Sequence, residues 1–364
     1  MINTENKEEV IKKTNKKGKI IFLVSALIVI NLFIFGSFYF SVYKINQINP
    51  GFIKEANIQN SPTPFPFEEM TIPYLRSRTY QSSLANLDQA AETSTYIGYL
   101  TSYDSDGLKI NGYLTIPKGE KPQNGWPAII FVHGYIPPKS YQTLEEYSSY
   151  VDYLARNGFV VFKIDLRGNG QSEGESGGAY YSSDYIIDTL NARAALKKSD
   201  FVNPNAIGLW GHSMAGNVVS RALAADPSIP AVNIWAGAVY TYSDFSEFGI
   251  MDNSYQPPPT ETPSRRKRNQ MFEKYGQFNP NNSFWKLVPM TNYLGDIKGA
   301  IQINHATDDP VVSIGYSRNL NSLLDKTSIP HMLNEYPSGG HNLTGASFNE
   351  AMQNTVEFFK KYLN

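Results

Sequence analysis

From residue 96 onward the chain alternates between short apolar runs and longer amphipathic stretches. YIGYLTSY (96–103) and LKINGYLTIP (108–117) flank Asp104-Ser105-Asp106-Gly107, a turn-forming cluster, and together predict a β-hairpin. AIIFVH (128–133) is continuously apolar, as expected of a strand buried on both faces. A helix is predicted near 144–157, ending at Gly158, then a strand over FVVFKID (159–165) and a helix over 184–199. AIGLWG (206–211) predicts a strand, 213–225 a helix and 231–239 another strand. AIQINHA (300–306), a helix near 313–326, HMLNEY (331–336) and a helix near 346–362 complete the series. This alternation predicts an α/β fold: a mostly parallel sheet with helices on both faces and the hairpin antiparallel at one edge.

Two regions break the pattern. Residues 20–43 carry no charged side chain in 24 positions. As a helix at 1.5 Å per residue they would extend about 36 Å, enough to span a hydrocarbon core with tilt. Lys7, Lys12, Lys13, Lys16, Lys17 and Lys19 precede the run, whereas only Lys44 follows closely. The asymmetry predicts a cytoplasmic tail (1–19), an uncleaved transmembrane helix (20–43) and an extracytoplasmic remainder. Residues 44–95 read as a linker, over 44 to about 66 and stiffened at its end by Pro62, Pro64 and Pro66, and an N-terminal extension, over 67–95, packed on the main domain at 96–364. The second break is 241–299, which reads as a cap inserted between two sheet strands. Its basic run, Arg265-Arg266-Lys267-Arg268, is expected to be a solvated helix face, and its aromatics to pack on one another.

Composition narrows the chemistry. A net charge of −1 offers no footprint for a nucleic-acid partner. With no cysteine in the chain, disulfides, zinc-thiolate sites and a cysteine nucleophile are excluded. No metal or cofactor motif is evident. Five histidines are available as a base: His133, His212, His305, His331 and His341.

Gly211-His212-Ser213-Met214-Ala215-Gly216 lies between a predicted strand and a predicted helix, the context in which a serine sits on a tight turn as a nucleophile. The pattern G-x-S-x-G is departed from at Ala215, which is still small. His341, in the glycine-containing loop Tyr336-Pro337-Ser338-Gly339-Gly340-His341, is the expected base. Asp308 and Asp309 compete to orient that imidazole; successive residues of an extended chain face opposite ways, and Asp309 is taken as the orienter, Asp308 as a turn residue. The amides of Tyr135, after the strand ending in His133, and of Met214 are the expected oxyanion donors. His133, His212, His305 and His331 read as structural. In Asp165-Leu166-Arg167-Gly168-Asn169-Gly170-Gln171-Ser172-Glu173-Gly174, Asp and Arg are expected to tie a sharp loop by a local ion pair.

Taken together, VHGY, DLRGNGQSEG, GHSMAG, HATDDPVV and GGHN resemble the α/β-hydrolase superfamily over 96–364, most closely the catalytic domain of prolyl-oligopeptidase-type serine peptidases. The resemblance implies a Ser213–Asp309–His341 triad that cleaves peptide or ester bonds through an acyl-enzyme. Only residues 44–95 separate the apolar run from Tyr96, which leaves no room for that family's β-propeller. HGY with RGNGQS also resembles acetyl xylan esterases and cephalosporin deacetylases, so a carboxylesterase or deacetylase stays open. The reading from another class is a non-catalytic envelope binding protein.

Overall fold

The computed structural model describes residues 66–257 and 262–363. The expected tail, transmembrane segment and first part of the linker lie outside them. Among the described residues no helix is long and apolar enough to cross a membrane.

A short helix, α1 (Ile72–Ser77), is capped by the Thr71 hydroxyl, which accepts from the Tyr74 amide at 3.3 Å. The edge strand β1 (Asp88–Glu92) follows and pairs antiparallel with β2 (Tyr96–Ser105). β2 turns into β3 (Leu108–Pro117) through Asp106 (φ 55°) and Gly107 (φ 82°). Two successive positive φ values make a turn whose twist matches the strands it joins. Beyond the hairpin come β4 (Trp126–Val132), α2 (Ser148–Arg156), β5 (Val160–Ile164), α3 (Asp184–Lys197), β6 (Val202–His212), α4 (Met214–Ala225) and β7 (Ala231–Trp235). The cap contributes α5 (Ser243–Phe248) and α6 (Pro263–Tyr275), and β8 (Ala300–Ala306), α7 (Gly315–Leu324), β9 (His331–Tyr336) and α8 (Ala346–Tyr362) close the chain. The sheet runs β1-β2-β3-β5-β4-β6-β7-β8-β9, antiparallel as far as β5 and parallel beyond it.

The period of two along each central strand feeds two cores. Ala128, Ile130 and Val132 of β4 pack on the face covered by α1, α3, α4 and α7; Ile129 and Phe131 pack on the face covered by α2 and α8. All five are fully buried, which is why the run is apolar without alternation.

Two boundaries move for physical reasons. β7 stops at Trp235 rather than continuing to Val239, because Ala236 (φ 45°) and Val239 (φ 60°) turn through the left-handed region. α2 begins at Ser148 rather than near 144, since Tyr147 (φ 58°) ends a loop whose side chains are used elsewhere. The ion pair of the 165–174 loop is not local. Asp165 accepts from the Tyr141 and Thr143 hydroxyls, at 2.9 and 2.6 Å, while Arg167 reaches α3 and binds Asp188 at 2.7 Å and Asp184 at 3.2 Å.

Asp188 is fully buried, so its charge depends on that guanidinium. Arg167→Met should lower the unfolding free energy by about 3–5 kcal/mol in urea titrations, and Arg167→Met/Asp188→Leu should recover part of it. A loss below about 1 kcal/mol for the single variant would contradict the pairing.

Candidate active site

Ser213 occupies the joint between β6 and α4 with φ 56° and ψ −119°, a conformation that L-residues rarely adopt. Crowding on both sides holds it there. A Cβ on Gly211 would lie 2.8 Å from the Ala215 carbonyl oxygen, and one on Gly216 would lie 2.6 Å from the Gly237 Cα. The close approach thus falls on Gly216, which explains why Ala215 is accommodated at the position usually held by glycine. As the first residue of α4, Met214 has an amide with no intrahelical acceptor.

His341 stands in the loop after β9. Its Nδ1–H donates to Asp309 Oδ2 at 2.8 Å, which leaves Nε2 as the basic nitrogen. Four contacts fix the loop. Gly340 N–H donates to Asp308 Oδ1 at 2.9 Å, and Thr344 N–H to the Gly339 carbonyl at 2.9 Å. The Tyr150 hydroxyl donates to the Asn342 carbonyl at 2.7 Å, and His212 Nε2–H to the His341 carbonyl at 2.8 Å. Asp308 therefore holds the loop while Asp309 faces the imidazole.

Asp309 has a second imidazole partner that sequence reasoning treated as ordinary. His305, fully buried, donates from Nε2 to Asp309 Oδ2 at 3.0 Å and accepts at Nδ1 from the Ser317 hydroxyl at 2.7 Å. Asp309 Oδ1 accepts from the amides of Val311 and Val312 at 2.8 and 3.0 Å. Burial alone would raise the Asp309 pKa, but the hydrogen bonds from His305 and His341 outweigh it and hold the carboxyl well below its usual range. Only the spacing of His305, four residues before Asp309 at a strand end, hinted at this contact.

His212 packs behind Ser213 and also links two loops. Gly134 N–H donates to the Tyr147 hydroxyl at 3.0 Å, which donates to His212 Nδ1 at 2.7 Å. Together with the His212–His341 bond, this chain connects the segment before Tyr135 to the loop carrying His341. His133 is buried against the Gly134 and Asp165 carbonyls, and His331 binds Asp325 at 3.0 Å, away from the site.

Ser213 and His341 line one cavity of about 680 Å³. Ser213, Tyr135 and Met214 line another of about 950 Å³, roofed by the cap. The basic run is not simply a solvated face: Arg265, Lys267 and Arg268 line this larger cavity, and Lys267 pairs with Glu69 at 2.5 Å. The cap aromatics pack on each other and on the core, with Tyr275 stacked on Phe284 at 4.0 Å and Tyr181 meeting Phe272 at 5.0 Å. Among the described residues no group of three or more His, Asp or Glu side chains could hold a metal ion.

Burial pushes the pKa of His133 down to about 4 and, with the neighbouring His341, that of His212 down to about 3. Both are neutral in the folded state at pH 5, whereas an unfolded chain protonates histidine below about pH 6.5. Stability should therefore fall as the pH drops from about 6.5 to 5, by up to about 1.4 kcal/mol per pH unit for each proton taken up. His212→Asn should reduce the slope of urea-derived stability against pH by about one proton. An unchanged slope would contradict a buried, neutral His212.

Comparison with known proteins adds partial matches to hydrolases. The family described as serine aminopeptidase, S33, matches residues 126–250, from β4 to just beyond α5 and through Ser213. A thiohydrolase of Aspergillus aculeatus is 31% identical over 142 residues, 39% of this chain and 41% of that protein. An uncharacterized peptidase, YuxL, of Bacillus subtilis is 22% identical over 247 residues, 66% of this chain and 34% of that one. The chain thus spans well under half the length of these relatives. Acetyl xylan esterase 1 of Thermoanaerobacterium sp. superposes with a TM-score of 0.55 at 20% identity, over 82% of this chain and 95% of that one, a likeness of fold. The sheet order, the strained serine between β6 and α4, and the aspartate and histidine in loops after β8 and β9 make this an α/β-hydrolase fold, with a serine-aminopeptidase family match confined to 126–250.

Proposed function

We propose that Ser213, His341 and Asp309 form a catalytic triad that hydrolyses peptide or ester bonds through an acyl-enzyme. The observation that carries this reading is the 2.8 Å bond from His341 Nδ1 to a buried carboxylate, with Ser213 and His341 on one cavity. The Ser213 Oγ attacks the substrate carbonyl as its proton passes to His341 Nε2. The amides of Met214 and Tyr135 receive the oxyanion, and Asp309 stabilises the imidazolium without taking its proton. The bond to the leaving group breaks as His341 protonates that group. Water then attacks the acyl-serine by the same route, giving up its proton to His341 and releasing a carboxylic acid. His305 acts through Asp309, as a positioning residue.

A fluorophosphonate probe should label the wild-type protein and leave Ser213→Ala unlabelled; equal labelling of both would overturn the reading, and with it favour a binding protein that only shares the fold. Asp309→Asn should lower turnover by ~10⁴-fold, the scale seen when an orienting aspartate is lost. Asp308→Asn, which loosens the loop without removing the imidazole's partner, should cost far less, and the reverse order would reassign the orienter.

We further propose that residues 20–43 anchor the hydrolase in a membrane with its catalytic part on the extracytoplasmic side. The support is the 24-residue uncharged run and the lysines before it. The full chain should remain in the membrane pellet after alkaline carbonate extraction, and deletion of 20–43 should release it. Release of the full chain would contradict the anchor.

A further inference from the structure

Two cavities meet at Ser213, and they reach different parts of the machinery. The larger, about 950 Å³, is lined by Ser213, Tyr135 and Met214 but not by His341. The smaller, about 680 Å³, is lined by Ser213, Tyr135 and His341 but not by Met214. In acyl transfer the general acid hands its proton to the departing atom, so the leaving group must lie on the side of His341. The acyl part then extends away from the base. We infer that the larger cavity is the acyl site and that the enzyme takes bulky apolar acyl groups joined to a polar, non-anionic alcohol or amine. The inference rests on the serine-hydrolase reading above and adds the substrate class.

The walls carry the chemistry. Met70, Tyr180, Tyr181, Phe245, Ile250 and Met271 present aromatic and aliphatic surface to the larger cavity. Its four carboxylates are already engaged: Glu69 with Lys267, Asp184 with Arg167, Glu175 with the Ser264 amide and hydroxyl, and Asp252 with Ser254. Lys139, Arg265, Lys267 and Arg268 also line this cavity, yet carbon makes up the larger share of its exposed wall, and the volume falls in the range that encloses a drug-sized molecule. An acetyl group would leave most of it unfilled. The smaller cavity is lined by apolar residues such as Ile136, Val311 and Phe348 together with the polar residues Ser149, Thr344 and Glu146, with no lysine or arginine among its described residues. Such a lining accepts hydroxyls or a cationic amine and repels an anion.

The chemistry balances across the two cavities. As the Ser213 Oγ–C bond forms and the bond to the leaving atom breaks, the protonated alcohol or amine departs past His341. The acyl chain stays in the larger cavity until water cleaves the acyl-serine and it leaves as a carboxylic acid.

Three p-nitrophenyl esters with one leaving group test the assignment on the full chain: acetate, octanoate and 3-phenylpropanoate. The two bulky esters should exceed acetate in kcat/KM by ~10-fold or more. Ala179 lines the larger cavity, and Ala179→Trp should lower the octanoate-to-acetate ratio of kcat/KM by ~10-fold. Ser149, exposed on α2, lines the smaller one, and Ser149→Trp should change discrimination among alcohols at fixed octanoyl while leaving the octanoate-to-acetate ratio unchanged. A preference for acetate, an equal loss on all three esters in Ala179→Trp, or loss of the octanoate preference in Ser149→Trp would overturn the inference. Failure of the serine-hydrolase reading looks different: no ester turns over and Ser213 is not labelled by a fluorophosphonate.

Discussion

The site depends on the Asp309 carboxylate being saturated. A buried charge is tolerated only when its hydrogen-bonding capacity is filled, and here two imidazoles and two backbone amides fill it. The two oxygens have separate tasks. Oδ1 is taken by the turn of its own chain at Val311 and Val312, which fixes the carboxylate plane. Oδ2 is left to hold His305 and His341. Because both imidazoles donate to it, the carboxyl stays ionised and His341 is locked in the tautomer that leaves Nε2 free of a proton.

That arrangement would fail if the loop carrying His341 could drift, and three elements prevent it. Asp308 holds the Gly340 amide, Tyr150 of α2 holds the Asn342 carbonyl, and His212 holds the carbonyl of His341 itself. The last contact matters most, since His212 sits beside Ser213 and is joined through Tyr147 to Gly134. The segment beside Ser213, the His341 loop and the segment before Tyr135 are thus tied by one short chain of hydrogen bonds. The strain at Ser213 is supported from the opposite side, where Gly211 and Gly216 let the turn pack against Val219 and Gly237.

Much of this was legible in the chain. Strands such as 128–133 and 300–306 announce themselves because burial on both faces demands continuous apolar residues, and the order Ser, Asp, His follows from where the loops leave a parallel sheet. β1 was not legible: DQAAE is an edge strand exposed along most of its length, so no period of two marks it. The roles of His305, Tyr147 and Arg167 were hidden for a different reason. Each depends on a partner from another element or on the exact direction of a strand end, and local pattern carries neither. The same holds for the basic run, whose helical pattern predicts a solvated face but not the cavity beneath it.

The central claim is that Ser213 is covalently acylated by substrate during turnover. Rapid acid quenching of the protein with a slowly hydrolysed aryl ester, followed by peptide mass spectrometry, measures it directly. The account predicts an acyl mass increment on the peptide containing Ser213, formed in the first turnover and absent from Ser213→Ala. Steady turnover with no adduct, or with the adduct on another residue, would contradict it.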